Sequence, residues 1–323
     1  MFTKMKYPAL VLILLIALTE KSDAGDCCGG GTGELLVLSL YGIGLVNTGF
    51  VYDRYLGVWD KDGKWRPYEY DITQTKILLN GAYRISRRFQ FAISLPVIYN
   101  SSSVPRLKNS SWGVGDFIVG GRFEIFHEFQ PKKTGKKLIL DHTLPYTAIT
   151  FGLLFPTGRS EETAENDVDI MGKGFYTTSL GLALTKSIIR SKLQVLADAS
   201  WQHSFEKNYD SYYNVPLNSE FRKQPGDKFS YSLGLNYMFN MSHEVSITAS
   251  GFVQGDYTVN DKEGYESDER SNNLLVSYTY YPTTDFRITT NFRAWIPRDD
   301  YGKNALGSNT FNINFTYYFS DLK

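Results

Sequence analysis

The chain has 323 residues, 34 basic against 34 acidic, and an aromatic content of 15% made up of 23 Tyr, 21 Phe and 5 Trp. That balance excludes a nucleic-acid partner, which calls for a basic surface. The only two cysteines, Cys27 and Cys28, are adjacent, so disulfides do not staple the fold.

Met1 to Ala24 reads as a secretory signal. Lys4 and Lys6 form its charged region, Ala9 to Leu18 its apolar run, and Ser22-Asp23-Ala24 its small-residue cleavage site. The apolar run is shorter than the roughly 20 residues a spanning helix needs. Removing Lys4, Lys6 and Lys21 together with Glu20 and Asp23 leaves 31 basic and 32 acidic residues. Residues 25–34 form a Cys- and Gly-rich leader. Its paired thiols, Cys27 and Cys28, are the weak metal candidates, suited to a soft ion such as Cu(I). The plainer reading is a tether. No cofactor is called for.

Beyond the leader, no apolar run is long enough for a spanning helix, so any membrane must be crossed by strands. Residues 35–323 repeat a two-residue rhythm, the period of a strand with one apolar face. A first strand falls within Leu35 to Tyr55, its register open. Then Ile77, Leu79, Tyr83 and Ile85 alternate with Lys76, Asn80 and Arg84; Phe89 to Tyr99 keeps its odd positions apolar. Phe117, Val119, Phe123 and Ile125 oppose Asp116, Arg122 and Glu124. Faces follow at Thr147 to Phe155, Leu180 to Leu184, Leu193 to Trp201, Phe229 to Phe239 and Val245 to Val253. Leu274 to Tyr280 and Phe286 to Ile296 come next. Last, Phe311, Ile313, Phe315, Tyr317 and Phe319 oppose Thr310, Asn312, Asn314, Thr316 and Tyr318. Twelve strands result.

The connections alternate in length. Ser86 to Arg88, Lys186 to Arg190, Asn240 to Ser242 and Pro282 to Asp285 are tight. Asp60 to Tyr68, Asn100 to Ser111, Thr157 to Gly172, Glu206 to Gly226, Asn260 to Arg270 and Arg298 to Ser308 are long and polar. Glu128 to His142 stands where a short turn is expected. Short turns at one end, long loops at the other and an even strand count define a transmembrane barrel. Its polar faces would be unpaired in an oily core but solvated in a wet lumen. The fold class is therefore all-β: an antiparallel up-and-down transmembrane barrel of about 12 strands. The rival is a secreted sandwich or soluble barrel. At the strand ends, Trp59, Trp65, Tyr99, Trp112, Tyr257, Trp295 and Tyr301 are candidates for interfacial girdles.

Candidates for inward, selectivity-setting residues are Lys76, Arg84, Asp116, Arg122, Glu124, Asp198, Lys228, Arg287 and Arg293. An inward loop, or the leader around Glu34, could plug a lumen of this size. The acidic loops Glu161 to Asp169 and Asp261 to Glu269 offer cation or lipopolysaccharide contacts, or simply solvated charge. Catalysis finds no footing. Asp141-His142-Thr143 lies in a loop, and His203 and Ser204, as strand neighbours, point to opposite faces. His127 and His243 adjoin Glu128 and Glu244 at turns, as solvated residues. The sequence is read as a non-enzyme.

Three fragments carry a resemblance: Phe91 to Tyr99 (F-A-I-S-L-P-V-I-Y), Gly113 to Gly121 (G-V-G-D-F-I-V-G-G) and Thr150 to Arg159 (T-F-G-L-L-F-P-T-G-R). They resemble the strand-end motifs of the outer-membrane barrel family linked to the MetA pathway of phenol degradation, over Tyr70 to Phe319. The resemblance implies passage of small, often aromatic, compounds. Structurally, Pro96 and Pro156 suit the last paired position of a strand. Gly113, Gly115, Gly120 and Gly121 relieve crowding on a curved wall or admit a close neighbour.

The expected function is a passive outer-membrane channel for small solutes. Its partners would be membrane lipid, lipopolysaccharide, the barrel-assembly machinery and the solute itself. The alternative is a non-conducting structural or adhesive barrel that binds a partner through Glu206 to Gly226 and Asn260 to Arg270.

Overall fold

The computed structural model describes residues 42–105, 109–126, 130–134, 137–141, 144–189, 192–264 and 266–320, with backbone alone at 130–134, 137–141 and 320. The expected signal, the leader with Cys27, Cys28 and Glu34, and His127 and His142 lie outside the described residues. Twelve long strands close on themselves. They are β1 (Gly42–Trp59), β2 (Trp65–Arg84), β3 (Phe89–Ser102), β4 (Phe117–Phe126), β5 (Tyr146–Phe155) and β6 (Thr177–Ile189). The second half comprises β7 (Leu193–Ser204), β8 (Lys228–Asn240), β9 (His243–Gln254), β10 (Glu269–Tyr280), β11 (Phe286–Trp295) and β12 (Leu306–Ser320). Each pairs antiparallel with its sequence neighbours, and β12 returns to β1, with Asn47 opposite Thr316 and Phe50 opposite Ile313. A closed sheet has no edge strand, the condition for burying backbone in lipid.

The first strand is described from Gly42, and its register is set on both sides: Asn47 faces Asn80 of β2 as well as Thr316. The side chains of one parity are apolar and exposed around the circumference. Examples are Phe50, Leu79, Ile93, Phe151, Leu182, Leu235, Ile247, Val276, Phe292 and Phe315. A soluble protein does not expose a continuous apolar belt of this extent, whereas lipid demands one. The wall is a membrane-spanning one.

Several elements depart from the sequence reading. β2 begins at Trp65, so the β1–β2 connection is only residues 60–64. β6 runs through Lys186 to Ile189, because β7 continues to pair with it there. The segment 128–142 contains a separate hairpin, Gln130–Thr134 paired with Lys137–Asp141. The stretch Glu206 to Gly226 is no loop. Lys207–Tyr212 and Val215–Gln224 form a hairpin that pairs on to Thr258–Val259 and Lys262–Glu263 as a four-stranded sheet above the barrel. Both of its tight turns place two successive residues at positive φ, Tyr213 with Asn214 and Asn260 with Asp261. That is the two-residue hairpin geometry whose twist matches its strands.

Pro96 is also not terminal. It sits inside β3, opposite Leu78. The short strand Ser110–Val114 pairs with the upper part of β3 and β4 with the lower, leaving Gly115 and Asp116 as a bulge between them. The Pro96 carbonyl accepts from the Gly115 amide at 2.8 Å. In a strand, a residue's N–H and C=O point the same way, so the hydrogen that proline lacks would have faced this bulge. Pro156 does follow the last residue of β5. Gly121 admits a neighbour closely: a Cβ there would sit 2.4 Å from the Phe151 ring.

Candidate lumen and outer mouth

Strand parity and cross-strand register decide which side chains look inward. Asn47 donates to the Thr316 hydroxyl at 2.8 Å and accepts from the Asn80 amide at 2.8 Å. From this row the parity propagates strand by strand around the barrel. Of the sequence candidates, Lys76, Arg84, Arg122, Glu124, Asp198, Lys228, Arg287 and Arg293 fall on the inward parity.

Most of them are engaged. Lys76 Nζ stands 3.2 Å from Asp53, whose carboxylate also accepts from Thr310. Arg84 lies 3.4 Å from Glu124 and donates to the Gly42 and Arg87 carbonyls at 3.0 Å each. Glu124 accepts from Gln90 as well. Arg122 donates to the Tyr146 hydroxyl at 3.1 Å, its guanidinium 5.0 Å from that ring's centroid. Lys228 rests its ammonium 3.2 Å from the centre of Phe252, and Arg287 lies 5.3 Å from the centre of Tyr318. Arg293 stands across from Thr310 and Leu275. Asp116 sits in the bulge, buried, and accepts from the Gly158 and Lys173 amides at 2.9 and 2.6 Å. Asp198 differs from the rest: it faces inward, is exposed, and has Ser232 Oγ at 3.2 Å.

The outer mouth is narrowed from two sides. The inward-facing Asn100 of β3 donates to the Val168 and Ile170 carbonyls at 3.0 and 2.9 Å, so the β5–β6 connection leans on the inner surface of the wall. Elsewhere, Trp59, Phe252, Trp295 and Ala305 pack together, with Trp65 and Tyr301 against them. Trp59 is fully buried, 4.5 Å from Trp65 between centroids, and its indole donates to the Arg298 carbonyl at 2.7 Å. Trp59, Trp65, Trp295 and Tyr301 therefore belong to an inner cluster and not to an interfacial girdle. Tyr99 and Trp112 do stand exposed on the outer surface; Tyr257 lies in the outer loops, 5.9 Å from Lys223 Nζ.

The acidic loops are not loose charge. Glu161 pairs with Lys223 at 3.0 Å, Asp169 with Arg159 at 3.2 Å and Glu266 with Lys61 at 2.7 Å. Glu162 binds Lys207, Asp261 binds Arg222 and Asp268 binds Lys303. Tyr209, fully buried, stacks on Phe221 at 5.1 Å and reaches Phe175 at 6.0 Å, giving the upper sheet a core. Burial, with Glu161 and Glu162 adding, holds the Tyr209 phenol well above its ordinary pKa. Burial and the hydrogen-bonded Asp167 do the same for Tyr213. Backbone N–H of Lys64, then Arg66, keeps the Asp60 carboxylate below its ordinary value.

The imidazoles have structural partners. His203 lies on Trp201, with Nδ1 2.7 Å from Asp227, while Ser204 bonds Thr177 at 2.9 Å. His203 and Ser204 do not meet. His243 is not merely solvated. It stacks on Tyr278 and Tyr280 and bonds the Tyr278 hydroxyl at 2.7 Å.

The fold aligns with that of an outer-membrane channel from Pseudomonas putida F1 at a TM-score of 0.69 and 14% identity, over 90% of this chain and 100% of that one. The KdgM porin aligns at 0.42 and 8% identity, over 84% and 99%. The CymD monoaromatic hydrocarbon channel aligns at 0.39 and 10%, over 86% and 89%. Residues 52–315 match the family model described as "Putative MetA-pathway of phenol degradation". With most of its barrel inside that match, the chain belongs to this family.

Proposed function

We propose that the protein is a passive channel of the outer membrane for small solutes, aromatic compounds among them. The observation that carries this reading is Asp198: it points into a closed wall, yet it is exposed. Water reaches a carboxylate inside a barrel whose outside is apolar, so the interior is a wet lumen and not a dry core. Aromatic cargo is supported by the family's description alone. A non-conducting adhesive barrel is the weaker reading, since the outer loops spend their charges on one another. A catalytic role is disfavoured by the separation of His203 from Ser204. Export by residues 1–24, insertion by the barrel-assembly machinery and a surrounding of lipid and lipopolysaccharide follow from the same reading.

Planar-bilayer recording tests it. Purified protein gives discrete conductance steps, and proteoliposomes swell in small aromatic acids and sugars. A barrel that is folded by its gel shift but passes neither ions nor solutes would refute the channel.

A further inference from the structure

The inward surface is divided into two unlike halves. On β5 to β9 its middle band carries Thr150, Gly152, Ser179, Gly181, Ser200, Ser230, Ser232, Gly234, Thr248 and Ser250, set by register into one face. These are small or hydroxyl side chains, Leu196 beside Asp198 being the longer exception. On β10 to β12 and β1 to β4 longer side chains reach inward, Arg293, Asn312, Lys76, Asn80, Arg84 and Arg122 among them, interspersed with small ones such as Gly49, Ser94, Gly120 and Ser277. Long side chains fill space and small ones leave it, so the open path lies against the β5–β9 half.

One charge stands in the middle of that half. Asp198 of β7 is flanked by Ala183 and Ser232 across the strands. Among the described inward charges it alone is exposed; Asp53, Arg122, Glu124 and Lys228 are buried, and Lys76, Arg84, Glu244, Glu269, Arg287 and Arg293 are half-buried. The long half also neutralises itself in part, through Lys76 with Asp53 and Arg84 with Glu124. Arg122, on the neighbouring half, is itself engaged: it donates to Tyr146 and is buried against that ring.

We infer that Asp198 is the specificity-determining charge of the pore: solutes travel along the hydroxyl-lined half, and this carboxylate favours cations and amine-bearing molecules over anions of equal size. The inference rests on the channel reading and goes beyond it by naming the preferred charge. An exposed charge pair in water is worth roughly 0.2–1 kcal/mol, so the preference is modest, about 1.4- to fivefold.

Two measurements test it, one of which needs no conductance. In a Cys27→Ser/Cys28→Ser background, Ser200→Cys places a thiol two residues from Asp198 on the same face. Its labelling by a cationic methanethiosulfonate outpaces that by an anionic one, and Asp198→Asn lowers the ratio of the two rates by about 1.4- to fivefold. In bilayers under a KCl gradient, Asp198→Asn brings the reversal potential towards zero and Asp198→Lys inverts its sign. An unchanged labelling ratio in Asp198→Asn overturns the inference whether or not the protein conducts. Conductance with unchanged selectivity overturns it too, while leaving the channel standing.

Discussion

A single missing methyl group lets the outer mouth close over its indole. At Gly302 an added Cβ would lie 2.3 Å from Trp59 Cδ2 and 2.5 Å from Cε3. Trp59 has no room to yield, being buried among Phe252, Trp295 and Ala305. Gly302→Ala therefore costs about 1–3 kcal/mol by overpacking, read as a lower temperature for conversion between the folded and heat-denatured gel bands. Asp60 sets the neighbouring turn by accepting from the Asp62 and Lys64 amides at 3.0 and 2.9 Å and from Arg66. Because folding depresses its pKa, its stabilisation is complete above the ordinary value of 3.8 and is lost as pH falls through the lowered one. The protection factor of the Lys64 amide, its exchange relative to the intrinsic rate at the same pH, falls over that acid range in the native protein, and in Asp60→Asn it no longer changes with pH. How much of this was readable in advance differs between two residues. Trp295 shares the parity of Arg293, so its inward direction was legible from the alternation within β11. Trp59 was not, since a bulge between Tyr55 and Gly57 breaks the rhythm on which any such count depends.

Strands announce themselves by period, and connections do not. The alternation in β2, β3, β8 and β12 is visible because lipid on one side and water on the other act on every second residue. Leu182, exposed on β6 midway between Thr177 and Ile189, shows the outer half of this rule. Leu182→Arg costs roughly 2–4 kcal/mol near the bilayer midplane, measured by urea unfolding in vesicles. An equal or greater stability than wild type would place that face away from lipid. The upper sheet is not legible in the sequence because its polar strands carry no two-faced pattern: Lys207–Tyr212 and Val215–Gln224 are held by one buried tyrosine and by ion pairs to another loop. Two cues did exist in the sequence, the turn formers Asn214 and Asn260. Ion pairs such as Lys303 with Asp268 or Arg222 with Asp261 join residues more than thirty positions apart, and no local pattern specifies them.

At the scale of the molecule, the lipid-facing belt and the wet interior both depend on closure. An open twelve-stranded sheet would expose two edges to lipid, each unpaired backbone group costing several kcal/mol, and its inward charges would meet hydrocarbon. The seam between β1 and β12 prevents this with a ladder running from Gly42 opposite Ser320 to Val58 opposite Leu306. Side chains reinforce it on the inner face, where Asn47 bonds Thr316 and Thr310 bonds Asp53. These contacts join residues more than 250 positions apart, so the seam forms only once all intervening strands are in register. Val46 and Tyr317 face each other across it on the lipid side. With Cys27 and Cys28 replaced by serine, Val46→Cys/Tyr317→Cys forms a disulfide under mild oxidation in the folded protein but not in urea. The oxidised chain is a covalent ring, and after boiling it migrates faster than its reduced form. Pairing Val46→Cys instead with Thr316→Cys, one register step away and on the opposite face, gives no such band. Equal oxidation of both pairs would mean a slipping seam, and a lumen without a fixed lining.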